Sequence, residues 1–185
     1  MSSPAPIWEQ LLNTAKDFMD EKKWGIKADN AILTPQQLEE AHPKIEQDSN
    51  HPAWSDPLVD KNSEYSAKTN TIHVRPGYDI ERDFTRNIVH EKSHAYMSQI
   101  AKVNWKRSLR RYPEGVLEQV AYTTQFYYLI KDGYTLDDVK KMGEWPVFFK
   151  RHGEVLTKYF NYAQKKYNEE QVKQKILSEK FLAKD

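Results

Sequence analysis

Residues 83–103 read DFTRNIVHEKSHAYMSQIAKV and contain the pentapeptide His90-Glu91-Lys92-Ser93-His94. Apolar side chains recur through this stretch at helical spacing, which predicts one helix with the pentapeptide in its middle. Two histidines four residues apart on a helix lie on the same face, so both imidazoles can reach a single metal ion. Glu91 then stands beside the metal's open position, where it can take a proton from bound water. This spacing is typical of a catalytic zinc site with three protein ligands and a water molecule.

A catalytic zinc ion needs a third protein ligand, and the sequence limits the choices. Position 100 is Ile, which excludes the metzincin arrangement with its third histidine six residues after His94. The alternative is a carboxylate from the following helix, where both Glu114 and Glu118 lie. Glu114 is expected in the first turn of that helix, where the helix dipole favours a carboxylate without any metal. Glu118 is expected one turn deeper among apolar neighbours, where an unpaired carboxylate is costly, so we favour Glu118 and keep Glu114 as the alternative.

Composition limits the class of protein. We expect the 185 residues to form one domain, residues 1–185, and the 28 basic and 27 acidic residues leave a net charge of +1. That balance gives no sign of a basic surface, so we expect no nucleic-acid partner. The chain has no cysteine, which excludes disulfides, thiolate zinc ligands and a cysteine nucleophile. We see neither a signal peptide nor an apolar run of roughly 18 residues, and we therefore expect a cytoplasmic protein that does not contact membranes.

Local signals predict an α+β fold that is mostly helical, with a small sheet or hairpin beside the helix that bears the two histidines. Thr34-Pro35 predicts the start of a short helix that stops near residue 42. Residues 43–62 are polar and broken by prolines, which predicts a long surface loop. Residues 64–75 predict a hairpin with its turn at 68–70. Further helices are predicted for residues 7–19, 113–131 and 135–143 and for the chain after Trp145, with residues 171–185 as either a continuation of the last helix or a tail.

The hairpin, the helix with the two histidines, and Glu118-Gln119-Val120-Ala121 together resemble a compact gluzincin-type zinc metallopeptidase. The pattern is similar to that of the ImmA/IrrE-like family, in which a glutamate three residues before an alanine is the third zinc ligand. Glu118 and Ala121 match those two positions. The resemblance covers about residues 64–131. Thermolysin-like gluzincins have an aspartate four residues after the ligand glutamate, whereas this chain has Tyr122 there, and it has no helix-turn-helix segment like the one often fused to ImmA-type proteins.

The resemblance implies a zinc-dependent peptidase that acts on a peptide or protein substrate. Glu91 would deprotonate the zinc-bound water and pass the proton to the leaving amine. The strand at 71–75 would form the rim of the cleft, where an extended substrate could add by backbone pairing. The implied site holds one Zn²⁺ per chain on His90, His94 and Glu118.

A further donor is expected for the oxyanion of the tetrahedral intermediate. Tyr122 is the candidate catalytic residue for this role, and Tyr127, Tyr128 and His152 stay open as alternatives. Two other functions compete with a peptidase: a zincin-scaffold regulatory or binding protein without activity, and a zinc hydrolase that acts on other bonds. The presence of Glu91 speaks against the inactive scaffold, because a site that has lost its function has no need of the base.

Overall fold

A three-stranded sheet and five α-helices make up the part of the protein that the computed structural model describes, residues 32–55, 62–103 and 113–182. The predicted α+β, mostly helical fold is confirmed. The helix predicted at 7–19 lies outside the described residues. In chain order the elements are α1 (Pro35–Glu40), β1 (Lys44–Gln47), a 3₁₀ helix (Pro52–Ser55), β2 (Ser63–Ser66), β3 (Thr71–Val74), α2 (Val89–Gln99), α3 (Val116–Lys131), α4 (Leu136–Val139) and α5 (Trp145–Leu182).

The predicted hairpin is formed by β2 and β3, which pair antiparallel with Ser66 opposite Thr71. Its turn contains Asn70 with a φ of 50°, a left-handed conformation that asparagine tolerates better than most residues. The side chain of Asn70 also donates a hydrogen bond of 2.7 Å to the carbonyl of Ala41. The turn is therefore fixed both by its local conformation and by a contact with the segment that precedes β1.

The prediction of a surface loop over residues 43–62 is wrong at two places, because β1 and the 3₁₀ helix lie within it. β1 pairs parallel with β3, so the strand order is β1-β3-β2 and β3 is the central strand. The predicted role of residues 71–75 as a rim that adds a substrate strand is also wrong, because both edges of β3 are already paired. The sequence of β1 has a single strongly β-prone residue, Ile45, and its pairing with β3 supplies the order that local propensity does not.

α1 begins as predicted, with Thr34 as its N-cap in a complete capping box with Gln37. The Gln37 side chain also donates to the hydroxyl of Tyr96 on α2 at 3.2 Å. A second link joins the same helices, since Lys92 Nζ lies 2.5 Å from Glu39 Oε1. These contacts hold α1 against the helix that bears the two histidines.

α2 is the predicted helix with the histidine pair, and it ends at Gln99 rather than at Val103. One widened π-helical turn, Phe84–Ile88, leads into it. One face of this helical segment packs on the sheet and another packs on α3. Ile88 and Ala95 join a buried cluster with Ile72 and Val74 of β3, and Val89, Tyr96 and Met97 join one with Leu117 and Val120 of α3.

α5 is a long helix with a kink at His152, whose φ of −132° and ψ of 21° are not helical. Residues 171–182 continue this helix, which decides between the two predicted alternatives for the C-terminal segment, and the side chains of 171–179 are exposed. Within the described ranges, no helix has the length and apolar character that a membrane span requires. The first half of α5 packs on α3 through an aromatic cluster that includes Tyr122, Phe126, Trp145, Tyr159 and Phe160.

Candidate metal centre

Three predicted ligands, His90 and His94 of α2 and Glu118 of α3, converge on one point. Each offers one ligand atom, and the three atoms lie within 4.8 Å of one another. The two Nε2 atoms are 3.1 Å apart. Glu118 Oε2 lies 3.3 Å from Nε2 of His90, and Glu118 Oε1 lies 3.5 Å from Nε2 of His94. In the described part of the chain this is the one group of three or more histidine or acidic side chains with such spacing.

The start of α3 explains how Glu118 reaches the two histidines. The helix begins at Val116, after Gly115 in an extended N-cap conformation, and not at Pro113 as predicted. Glu118 therefore stands in the first turn, and Glu114 precedes the helix and is exposed. The expectation that Glu114 occupies the first turn is wrong. The favourable field at the helix N-terminus acts on Glu118 instead, and it adds to the stability of a carboxylate there.

The carboxyl group of Glu118 is held in its ionised form. Burial alone would raise its pKa, but the electrostatic interaction with His94 and the hydrogen-bonding contacts with His90 and His94 outweigh burial, so the pKa lies well below its ordinary value. Oε2 of Glu118 is buried and has no well-aligned hydrogen bond. A buried, ionised oxygen beside two imidazole nitrogens is a donor set suited to a cation, because metal ligands must be deprotonated.

Glu91 directly follows His90 on α2 and is buried, with 8% of its surface exposed. Its Oε1 accepts a hydrogen bond of 3.0 Å from Ser63 Oγ, at the start of β2. Sequence reasoning missed Ser63, because a serine at the start of a strand carries no signal of a contact with a residue 28 positions away. The Ser63 side chain thus joins β2 to the glutamate that follows His90 on α2.

Tyr122 follows Glu118 by one helical turn and packs against His90, with ring centroids 4.5 Å apart at 63°. Its ring also lies 5.8 Å from that of Trp145 on α5, in the aromatic cluster between the helices. Tyr122 is 5% exposed, so it forms a wall that limits the movement of the His90 ring. One turn after Glu118, His90 is thus packed against an aromatic ring and not against a carboxylate.

Tyr127 and Tyr128, two of the other predicted oxyanion donors, lie farther along α3 than Tyr122. The hydroxyl of Tyr128 donates to the carbonyl of Leu33 at 3.1 Å, and that of Tyr127 donates to Glu170 of α5. Both residues are more than two turns along α3 from Glu118, and both hydroxyls are engaged on other parts of the chain. His152 lies at the kink of α5.

The comparisons with known proteins add no assignment to this geometry. The chain matches no protein-family model, no curated protein and no solved structure. The arrangement of His90, His94, Glu118 and Glu91 is therefore the basis on which a function can be argued.

Proposed function

We propose that the protein is a zinc-dependent metallopeptidase. The observation that carries this proposal is the convergence of His90, His94 and Glu118 within 4.8 Å, with Glu91 on the same helix as the histidines. Two imidazole nitrogens and one carboxylate oxygen are a ligand set that Zn²⁺ accepts, and three protein ligands leave a fourth position open, as in catalytic sites. When bound there, Zn²⁺ would polarise a substrate carbonyl and lower the pKa of a water molecule.

Glu91 is the proton carrier in this proposal. Its Oε1 is engaged by Ser63 Oγ at 3.0 Å, so Oε2 is the atom that takes a proton from the attacking water and delivers it to the leaving amine. The Glu91 side chain as a whole is largely buried, with 8% of its surface exposed. Proton transfer by a positioned side chain of this kind contributes typically about 10²- to 10⁴-fold to the rate.

β2 is the strand that would receive an extended peptide. Arg75 N donates to the carbonyl of Asn62 at 2.9 Å, which makes these two residues a hydrogen-bonded pair of the antiparallel ladder. Because such pairs alternate along a ladder, the backbone groups of Ser63 and Tyr65 point away from β3. Across the described ranges no strand pairs with that edge of β2. A substrate strand on this edge would lie near Glu91, because Ser63, whose backbone would pair with the substrate, contacts Glu91 through its side chain.

The test combines metal analysis with peptide cleavage. The purified wild-type chain is expected to hold one equivalent of zinc and to cleave an unstructured protein or a peptide library. Glu91→Gln is expected to keep the zinc and lose about 10²- to 10⁴-fold in kcat, because the amide cannot accept the proton. A wild-type chain without zinc, or equal cleavage by the two proteins, would overturn the proposal.

A further inference from the structure

We propose that Ser63 is a positioning residue for Glu91, an inference that rests on the proposed function. Ser63 Oγ donates to Glu91 Oε1 at 3.0 Å, and both residues are buried, with 7% and 8% of their surfaces exposed. A buried hydrogen bond to an ionised group is stronger than one between neutral groups. The hydroxyl of Ser63 therefore holds the carboxylate in one orientation.

The sheet fixes the position of the Ser63 hydroxyl. Ser63 stands opposite Val74 of the central strand, and the next pair in the ladder is closed by the bond between Arg75 N and the Asn62 carbonyl. Val74 is fully buried in the cluster that joins β3 to α2. Tyr65 of β2 and Ala95 of α2 belong to the same cluster, so the strand that carries Ser63 and the helix that carries Glu91 are packed on common residues.

The two carboxylate oxygens of Glu91 have different roles in the proposed reaction. A glutamate side chain has three rotatable bonds, and fixing them during each turnover would reduce the rate. Ser63 fixes the side chain in advance by holding Oε1, which leaves Oε2 for the proton. Loss of the hydroxyl also leaves a buried carboxylate oxygen without its partner, so the carboxylate is expected to seek another orientation.

The test compares Ser63→Ala with Ser63→Thr, which keeps a hydroxyl and suits a strand, and with Ser66→Ala as a matched control on β2. Ser66 belongs to a pair that bonds β3, and it lies on the opposite face of the strand from Ser63. Three quantities are measured for each zinc-loaded protein: zinc affinity, kcat and KM for a cleaved peptide, and the calorimetric affinity for acetohydroxamate. A hydroxamate chelates zinc and shares a proton with a carboxylate at the general-base position, so its binding does not require turnover.

Ser63→Ala is expected to lower kcat and hydroxamate affinity by about 10-fold or more, with zinc affinity and KM unchanged. Ser63→Thr is expected to restore most of both losses, and Ser66→Ala is expected to behave like the wild type. If Ser63→Ala does not fold, Ser63→Cys replaces it, because a thiol keeps the size and donates weakly. Equal values for Ser63→Ala and Ser66→Ala, or a loss of zinc on Ser63→Ala, would overturn the positioning role.

The experiment separates this inference from the proposed function. A wild-type chain that binds zinc but cleaves no peptide would contradict the peptidase, and a hydroxamate affinity that still depends on Ser63 would support the positioning of Glu91. A rate of peptide cleavage that does not change on Ser63→Ala would contradict the positioning role of Ser63 and leave the proposed peptidase function standing. A wild-type chain that binds no zinc would contradict both the peptidase function and the positioning role.

Discussion

Two pairs of histidines are in ring contact in the described part of the protein, and they differ in how the rings meet. His90 and His94 lie one turn apart on α2, with ring centroids 4.7 Å apart and an interplanar angle of 79°. His51, which precedes the 3₁₀ helix, and His73 of β3 are stacked, with centroids 4.3 Å apart at 27°. The ring separations are similar, but among the described residues only the first pair belongs to a group of three side chains whose ligand atoms lie within 4.8 Å of one another.

The carboxylates near the two pairs show the same difference. One side chain, Glu118, contacts both histidines of α2 through its two oxygens. In the pair of His51 and His73, called the sheet pair below because His73 lies on β3, each histidine is near a different acid: His51 Nδ1 lies 3.6 Å from Glu64 Oε2, and His73 Nδ1 lies 3.7 Å from Asp48 Oδ2. Two histidines with nearby carboxylates are therefore not sufficient for a metal site. A metal site needs ligand atoms that converge, and the four-residue spacing on a helix provides that convergence.

The largest expected effect is a loss of bound zinc when a histidine of the α2 pair is replaced, and not when a histidine of the sheet pair is replaced. His94→Ala is expected to reduce bound zinc from one equivalent to none after dialysis, because two donors do not hold the metal that three hold. His73→Ala removes a histidine from the sheet pair and is expected to keep the full equivalent. Metal analysis of both variants by mass spectrometry decides the comparison. If His94→Ala retained zinc and His73→Ala lost it, the zinc site would have to be assigned to the sheet pair and not to the α2 pair.

The local part of this site could be predicted because helical spacing fixes it. The positions of His90 and His94 follow from sequence alone, and Ile100 removes the arrangement with a third histidine. Glu118 was favoured for its apolar neighbours, although the helix was expected to begin at Pro113. The true start lies at Val116, since Gly115 adopts the extended N-cap conformation. A shift of this size changes which glutamate benefits from the helix dipole.

The long-range part could not be predicted. β1 has few β-prone residues, and it exists because its backbone pairs with β3, with Lys44 opposite Thr71. The contact between Ser63 and Glu91 depends on how the sheet packs against α2, which no local pattern encodes. Pairing between distant segments is set by the whole fold and overrides local propensity. The substrate edge was therefore assigned to β3 from sequence, although β2 is the edge strand of the hairpin.

A smaller effect on zinc affinity is expected to distinguish Glu118, in the first turn of α3, from Glu114, which precedes that helix. Glu118→Gln removes the anionic ligand and is expected to weaken zinc binding by at least about 100-fold, more than the loss of an outer hydrogen-bond partner of a ligand. Glu114→Gln is the matched control, because Glu114, the alternative ligand expected from sequence, is exposed and lies outside the group of possible ligands among the described residues. Zinc affinity is measured by competition with a chromogenic chelator. Equal weakening by both variants would contradict the assignment of Glu118 as the third ligand.

The smallest expected effect concerns the sheet pair. Asp48→Asn removes the charge that faces His73, while the amide oxygen can still accept the bond of 2.9 Å from the Asn50 backbone. The Asp48 side chain is 37% exposed, so solvent screens its charge, and the loss of that charge is expected to lower the free energy of unfolding by at most about 1 kcal/mol. Urea unfolding measures this change, and zinc affinity is expected to stay at the wild-type value. A decrease of several kcal/mol in the free energy of unfolding, or weaker zinc binding, would contradict the independence of the two histidine pairs. Such a result would mean that α2, which packs on the strand that carries His73, transmits the change to the candidate metal site.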